Sequence, residues 1–198
     1  MATTPRRSTR DRIVDQAAVI TTTDGWASVT MARLAAAVGV SRQTVYNEVG
    51  SKPALAETMI LEELTRFLQV VEHAFDAEPD DLTRAIERAV TDVLTYASAN
   101  KLLHAVVSAT HGADTELLPL LTTNAGSLLG AAKDVISARV APYAPGIDAE
   151  HLDPAIDMVV RVVLSHVMQP SGSPEQTGAD IAWLAGQVLR GPAPPSTP

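Results

Sequence analysis

Apolar and polar positions follow a helical period almost from the start of the chain. Ile13, Ala17 and Ile20 recur at that spacing between Thr9 and about Thr23. "TDGW" then stops this first helix, with Gly25 suited to a C-terminal cap. Thr30 stands where a second helix, Met31 to about Val38, needs its N-cap, and Val29 and Leu34 have the spacing of a hydrophobic staple. Gly39 ends that helix, and a third begins at once. Ser41 is its cap, Val40 and Val45 its staple, and it runs to about Glu48 or Val49. Ser51 can cap a fourth helix whose first turn holds Pro53, where the missing N–H costs little. That helix reaches about Phe75, with Leu61, Leu64, Leu68 and Val71 on one face.

Five more helical stretches follow, at about 82–99, 102–110, 115–141, 149–168 and 178–190. "DAEPDD", "HGAD", "APYAPGID" and "QPSGSPEQ" read as the breaks between them. Pro119 and two glycines predict a bend inside 115–141. No segment has the two-residue period of a strand. The pattern therefore predicts an all-α protein of about nine helices: a disordered basic arm (1–8), a three-helix head (9–53), a helical body (54–190) and a disordered Pro-rich tail (191–198).

Composition narrows the picture. Aromatic residues are only 4% of the chain, so the core must be built from Ala, Val, Leu and Ile. The absence of cysteine excludes disulfides and thiolate chemistry and fits a reducing compartment. The N-terminus lacks a signal-type apolar run, and "AIDMVVRVVLSHVMQ" is too short and too charged, at Asp157 and Arg161, to span a bilayer. The expectation is a soluble, cytoplasmic protein. The five histidines form no His-x-x-x-His or HExxH pair, and no Walker, GxSxG or Rossmann pattern occurs, so neither an enzyme nor a metal or cofactor site is expected.

Charge points to a partner for the head. Residues 1–53 carry seven Arg or Lys against four acids, a balance of +3; the whole chain is at −8, so the remainder is at −11. Only the head is suited to approach a polyanion. Two short helices around Gly39 make a helix-turn-helix, whose second helix enters the major groove of DNA. Its residues suit that task. Arg42 can bond guanine, Gln43 can bond adenine, and Thr44 can bond a base or touch a thymine methyl. Tyr46 and Lys52 suit phosphates, as does the helix N-terminus at Thr30; Asn47 suits either, and Ser41 caps the helix beside them. A solvated polar surface is the competing reading of the same pattern.

The run "RIVDQAAVITTTDGWASVTMARLAAAVGVSRQTVYNEVGSKPAL" resembles the N-terminal domain of the tetracycline-repressor family of bacterial regulators. The first-helix pattern RxxIxxxA (Arg10, Ile13, Ala17) begins just ahead of this run, which contains the Gly25–Trp26 turn, a Thr ahead of "LAAAVGVSRQTVY", and the Gly-Ser-Lys entry to the fourth helix. The resemblance implies an all-helical homodimer that binds a palindromic DNA operator and is released from it by a small molecule. Val49 stands where the family often has Phe, and Glu48 where it has a non-acidic residue. Glu48 would repel a phosphate unless Arg42, Arg33 or Lys52 neutralises it.

For the body, the resemblance implies a ligand pocket in the middle helices and a dimer interface in the last two. Phe67, Val71, Tyr96, His104, Val107, Leu117, Leu121, Leu128 and Met158 are the candidate lining, mostly aliphatic and therefore suited to an apolar effector. His104, Asn124 and Arg161 are candidate polar anchors, although Arg161 can equally pair with Asp157. Ile156, Val159, Val160, Val163 and Val167 on one helix, with Ile181, Leu184 and Val188 on the other, are the candidate dimer contacts. The competing reading from another class is a helical ligand-binding or protein-interaction module whose head no longer binds DNA.

Overall fold

The computed structural model describes residues 7–110 and 125–189. Among these residues are nine α-helices and no strand: α1 (Thr9–Asp24), α2 (Met31–Val38), α3 (Arg42–Val49), α4 (Lys52–Ala77), α5 (Leu82–Ala99), α6 (Lys101–Thr110), α7 (Ala125–Val140), α8 (Ala149–Met168) and α9 (Pro174–Leu189). The all-α expectation holds. None of these helices is long and apolar enough to cross a membrane.

The chain forms two compact units. The first contains α1–α3, α4 as far as Glu63, and α6. Its core joins Ile13, Val14, Ala17 and Ile20 of α1 to Leu34 and Val38 of α2, Val45 and Val49 of α3, and Leu55 and Met59 of α4, with Leu102 packed against them. Both residues of the first staple, Val29 and Leu34, are fully buried, as is Val45 of the second. Ser8 and Asp11 form a reciprocal capping box, so Ser8 is the N-cap of α1. Arg7 also pairs with Asp15.

The second unit contains α4 from Leu64 onward, α5, α7 from Gly126, α8 and α9. Val71, Ala74 and Phe75 of α4 pack with Ile86, Val90 and Leu94 of α5, Val140 of α7, and Ile181 and Ala185 of α9. Polar clasps surround this core. Arg139 reaches Asp76 at 2.6 Å and Glu72 at 3.0 Å, and the Tyr143 hydroxyl reaches the Glu78 carbonyl at 2.9 Å. Lys133 pairs with Asp153 at 2.9 Å, and Arg161 with Asp157 at 2.6 Å.

Two expectations change. The last helix starts at Pro174, not Gly178: Ser173 accepts the Gln176 N–H at 3.2 Å and Pro174 occupies the first helical position. "SPEQ" is a helix start of the kind the competing loop composition concealed. On α4, Leu61 is 48% exposed, and the inward positions of that half are Leu55, Ala56 and Met59. The helix serves two different cores, so no single stripe runs along its length. The expected bend at Pro119, and the terminal segments 1–6 and 190–198, lie outside the described residues.

Candidate nucleic-acid interface

The helix-turn-helix is made by α2 and α3. Gly39 takes the left-handed conformation (φ 75°, ψ 40°) that lets the chain leave α2, and its N–H bonds the Ala35 carbonyl at 3.0 Å. Val38, Val45 and Val49 bury the inner side of the pair. The outer side of α3 shows Arg42, Gln43, Tyr46 and Asn47, all exposed, with Tyr46 at 51%.

Each polar side chain has a definite neighbourhood. Ser41 Oγ accepts the Thr44 N–H at 3.0 Å and lies 2.9 Å from the Thr44 hydroxyl, so both hydroxyls belong to the cap. Gln43 Nε2 donates to Asn47 Oδ1 at 3.0 Å, one turn along. That nitrogen has a second hydrogen, so the amide keeps both a donor and an acceptor for a base edge. Arg42 has no hydrogen-bond or ion-pair partner among the described residues. Thr30 Oγ1 accepts the Arg33 N–H at 3.1 Å and so caps α2. The Lys52 ammonium lies 5.0 Å from the centre of the Trp26 ring, a cation–π contact that fixes the charge at the start of α4.

The other head cations among the described residues are committed internally. Arg33 pairs with Asp24. Arg10 donates to the Glu48 carbonyl at 3.1 Å and to Thr58 Oγ1 at 3.2 Å, and Arg12 donates to the Val38 carbonyl at 2.6 Å. Glu48 is therefore engaged through its backbone oxygen by Arg10, and Arg33 is not available to neutralise its carboxylate. Arg10, Arg12 and Thr58 are absent from the sequence-based candidates. Arg10 opens the first-helix pattern RxxIxxxA and both arginines count in the head's net charge, but neither feature names the carbonyls they reach, and nothing local marks Thr58.

Comparison with known proteins agrees with this geometry. Residues 13–59 match the family model described as bacterial regulatory proteins, tetR family, and residues 81–187 match bacterial tetracyclin repressor, C-terminal domain. The regulator AlkX of Mycobacterium tuberculosis is 30% identical over 182 residues, covering 88% of this chain and 82% of its own length. The chain belongs to the tetracycline-repressor family. It is a DNA-binding transcriptional regulator with a C-terminal ligand-binding domain, not an enzyme. A TetR-family repressor, AlkX from Dietzia sp. strain DQ12-45-1b, described as implicated in biodegradation of n-alkanes, superposes with a TM-score of 0.71 at 26% identity, covering 94% of this chain and 100% of that one. The fatty acid degradation regulator FadR from Bacillus halodurans shares the fold, with a TM-score of 0.59 at 17% identity over 94% of this chain and 99% of its own.

For a tetracycline-repressor regulator the effector site lies in the helical body, and the candidate lining separates there. Phe67, Val71 and Tyr96 come together in the second unit: Phe67 and Tyr96 stack edge to face with ring centres 4.9 Å apart, and Val71 is buried in the same core. Leu128, on α7, is half-buried in that unit. His104 is exposed on α6, in the first unit. Val107 lies on the same helix, and Leu117, Leu121 and Asn124 lie outside the described residues. Met158 is 65% exposed and Arg161 is held at the surface by Asp157, so neither turns toward the aromatic pair's core.

The stripe assigned to a partner chain also divides. Ile156, Val160 and Ile181 are buried within the chain, and Val159, Val163 and Val167 pack against the unit's own core. Of the eight, only Leu184 (52%) and Val188 (44%) stand exposed. The apolar surface left open is the opposite face: Met158, Val162, Leu164 and Met168 on α8, with Trp183, Leu184 and Val188 on α9. The outer side of α8 mixes these apolar residues with exposed Arg161 and Ser165, and the β-branched stripe is the side the chain's own core takes.

Proposed function

We propose that this regulator is a homodimeric repressor that binds a palindromic operator through α3 and leaves it when a small apolar effector binds. The observation that carries the reading is the outer face of α3: an unpartnered Arg42 beside an oriented Gln43–Asn47 pair, at the start of a capped helix. In this reading Arg42 and Gln43 contact base edges, and Asn47 holds the Gln43 amide. Tyr46 and Lys52 hold phosphates, and the Thr30 end of α2 adds another phosphate contact. Ser41 and Thr44 shape the helix start, with the Thr44 methyl within reach of a thymine.

The dimer reading is supported by the open apolar face of α8 and α9, because large apolar patches on a lone chain mark contact surfaces. Two-fold pairing would place the two reading helices about 34–36 Å apart, one turn of DNA. An effector favouring a different conformation of the body would move α4, change that spacing and weaken operator binding. Operator must then weaken effector binding by the same factor. The aliphatic core around Phe67, Val71 and Tyr96 supports an apolar effector, as does the likeness to a repressor implicated in n-alkane biodegradation.

The test is selection of duplexes from a random-sequence library by the full-length protein. The expected result is a palindromic consensus bound with a steep salt dependence. A chain-length series of n-alkanes and fatty acids should then include a member that releases the selected duplex. Equal affinity for random DNA would overturn the operator reading, and a bound ligand that leaves DNA affinity unchanged would overturn the release mechanism.

A further inference from the structure

We infer that Arg10 is a positioning residue for operator recognition: its guanidinium ties the C-terminal end of the reading helix α3 to helix α4. The inference rests on the reading of α3 as the base-contacting helix.

The argument starts from the end of α3. The helix has eight residues, Arg42–Val49, so it is only about 12 Å long at the usual rise. Its last carbonyls have no partners within the helix and carry the negative end of the helix dipole. The Gly50 N–H takes the Tyr46 carbonyl at 2.9 Å. The Glu48 carbonyl is taken by Arg10 Nη1, 38 residues earlier in the chain. A cation donating there satisfies the carbonyl and complements the dipole at once.

The second nitrogen of the same fork goes elsewhere. Arg10 Nη2 donates to Thr58 Oγ1, and the Thr58 hydroxyl donates in turn to the Ala54 carbonyl at 3.0 Å. The guanidinium is planar and rigid, so its two bonds fix the end of α3 relative to α4 within the first unit. Arg12, two residues on, treats α2 similarly by donating to Val38. Only Arg10 reaches α4 as well. Buried Val45 and Val49 anchor one side of α3, and the Arg10 bridge adds a restraint on its tilt at the C-terminal end. A tilt of so short a helix displaces Arg42 and Gln43 relative to the groove.

Because Arg10 is exposed, a direct phosphate contact is the rival role, and the two roles predict different salt behaviour. The experiment measures affinity and selectivity of full-length Arg10→Ala, Thr58→Val and the double variant for the library-selected duplex and a scrambled one, across a salt series. A positioning role predicts that Arg10→Ala lowers the ratio of selected to scrambled affinity by about tenfold, the scale of a charge-assisted hydrogen bond, with the salt slope unchanged. Thr58→Val, which keeps the side-chain shape, should shift the ratio the same way by about threefold, and the double variant should be no worse than Arg10→Ala alone. A salt slope lowered by about one with selectivity kept would make Arg10 a phosphate contact and overturn the inference. So would additive effects of the two substitutions, or a fall in melting temperature with selectivity unchanged. If Arg10→Ala does not fold, Thr58→Val alone decides: unchanged selectivity overturns the inference. Arg42→Ala separates the two levels. If it leaves base preference intact, the reading of α3 fails with the inference; if it relaxes preference while Arg10→Ala does not, the inference alone fails.

Discussion

Arg42 and Gln43 differ from the other polar residues of the head in what surrounds them. The hydroxyls of Thr30, Ser41 and Thr44 are committed to capping, and Arg33 to an ion pair, whereas Arg42 extends into solvent and Gln43 keeps free hydrogen-bonding capacity. Arg42→Ala and Gln43→Ala should each cost about 1–3 kcal/mol of discrimination at one base position and relax preference there, as read by repeating the selection. Lys52→Ala should instead weaken all sequences alike and lower the salt slope by about one. Unchanged preference in both base-facing variants would remove them from the readout. The caps and the polar face of α3 were legible in the chain because both draw on short-range spacing. Arg10 and Arg12 were not, because their partners lie 38, 48 and 26 residues away.

Helices α5 and α9 meet through a contact that only a glycine permits. A Cβ on Gly178 would lie 2.1 Å from the Thr91 hydroxyl and 3.0 Å from the Glu87 carbonyl. Gly178→Ala gains about 1 kcal/mol in helix propensity but must strain this packing by about 1–3 kcal/mol. The expected net result is a lower denaturation midpoint, partly restored by adding Thr91→Ala. A midpoint at or above wild type would show that the two helices can separate at little cost. At the α7–α8 contact, the Arg161 hydrogen bond, helped by Lys133, holds the Asp157 carboxyl below its ordinary range. A carboxyl depressed in the folded state contributes stability above its unfolded value, lost as pH falls through the folded one. Thermal melting should therefore drop below about pH 4, and Arg161→Ala should make that drop shallower. The effect is small because the pair is exposed to solvent. Identical acid profiles for the two proteins would count against it.

In the proposed dimer, assembly rests on the face of α8 and α9 that the chain leaves open. Replacing Trp183 and Leu184 with Lys places charge on that face without touching the buried Ile181 and Ala182. The expected outcome is a folded monomer by sedimentation whose affinity for the palindrome falls at least about a hundredfold, because the second head no longer binds as part of one molecule. A dimer that survives these changes would place the interface elsewhere. The helical period, the caps and staples, and the polar face of α3 follow from the sequence, because each rests on residues within a turn or two of one another. Tertiary structure alone decided three things: that Arg10 and Arg12 reach the Glu48 and Val38 carbonyls, that α4 supplies two cores, and that the β-branched side of α8 turns inward. Each depends on which of several chemically acceptable partners a distant segment brings close, and no local pattern contains that choice.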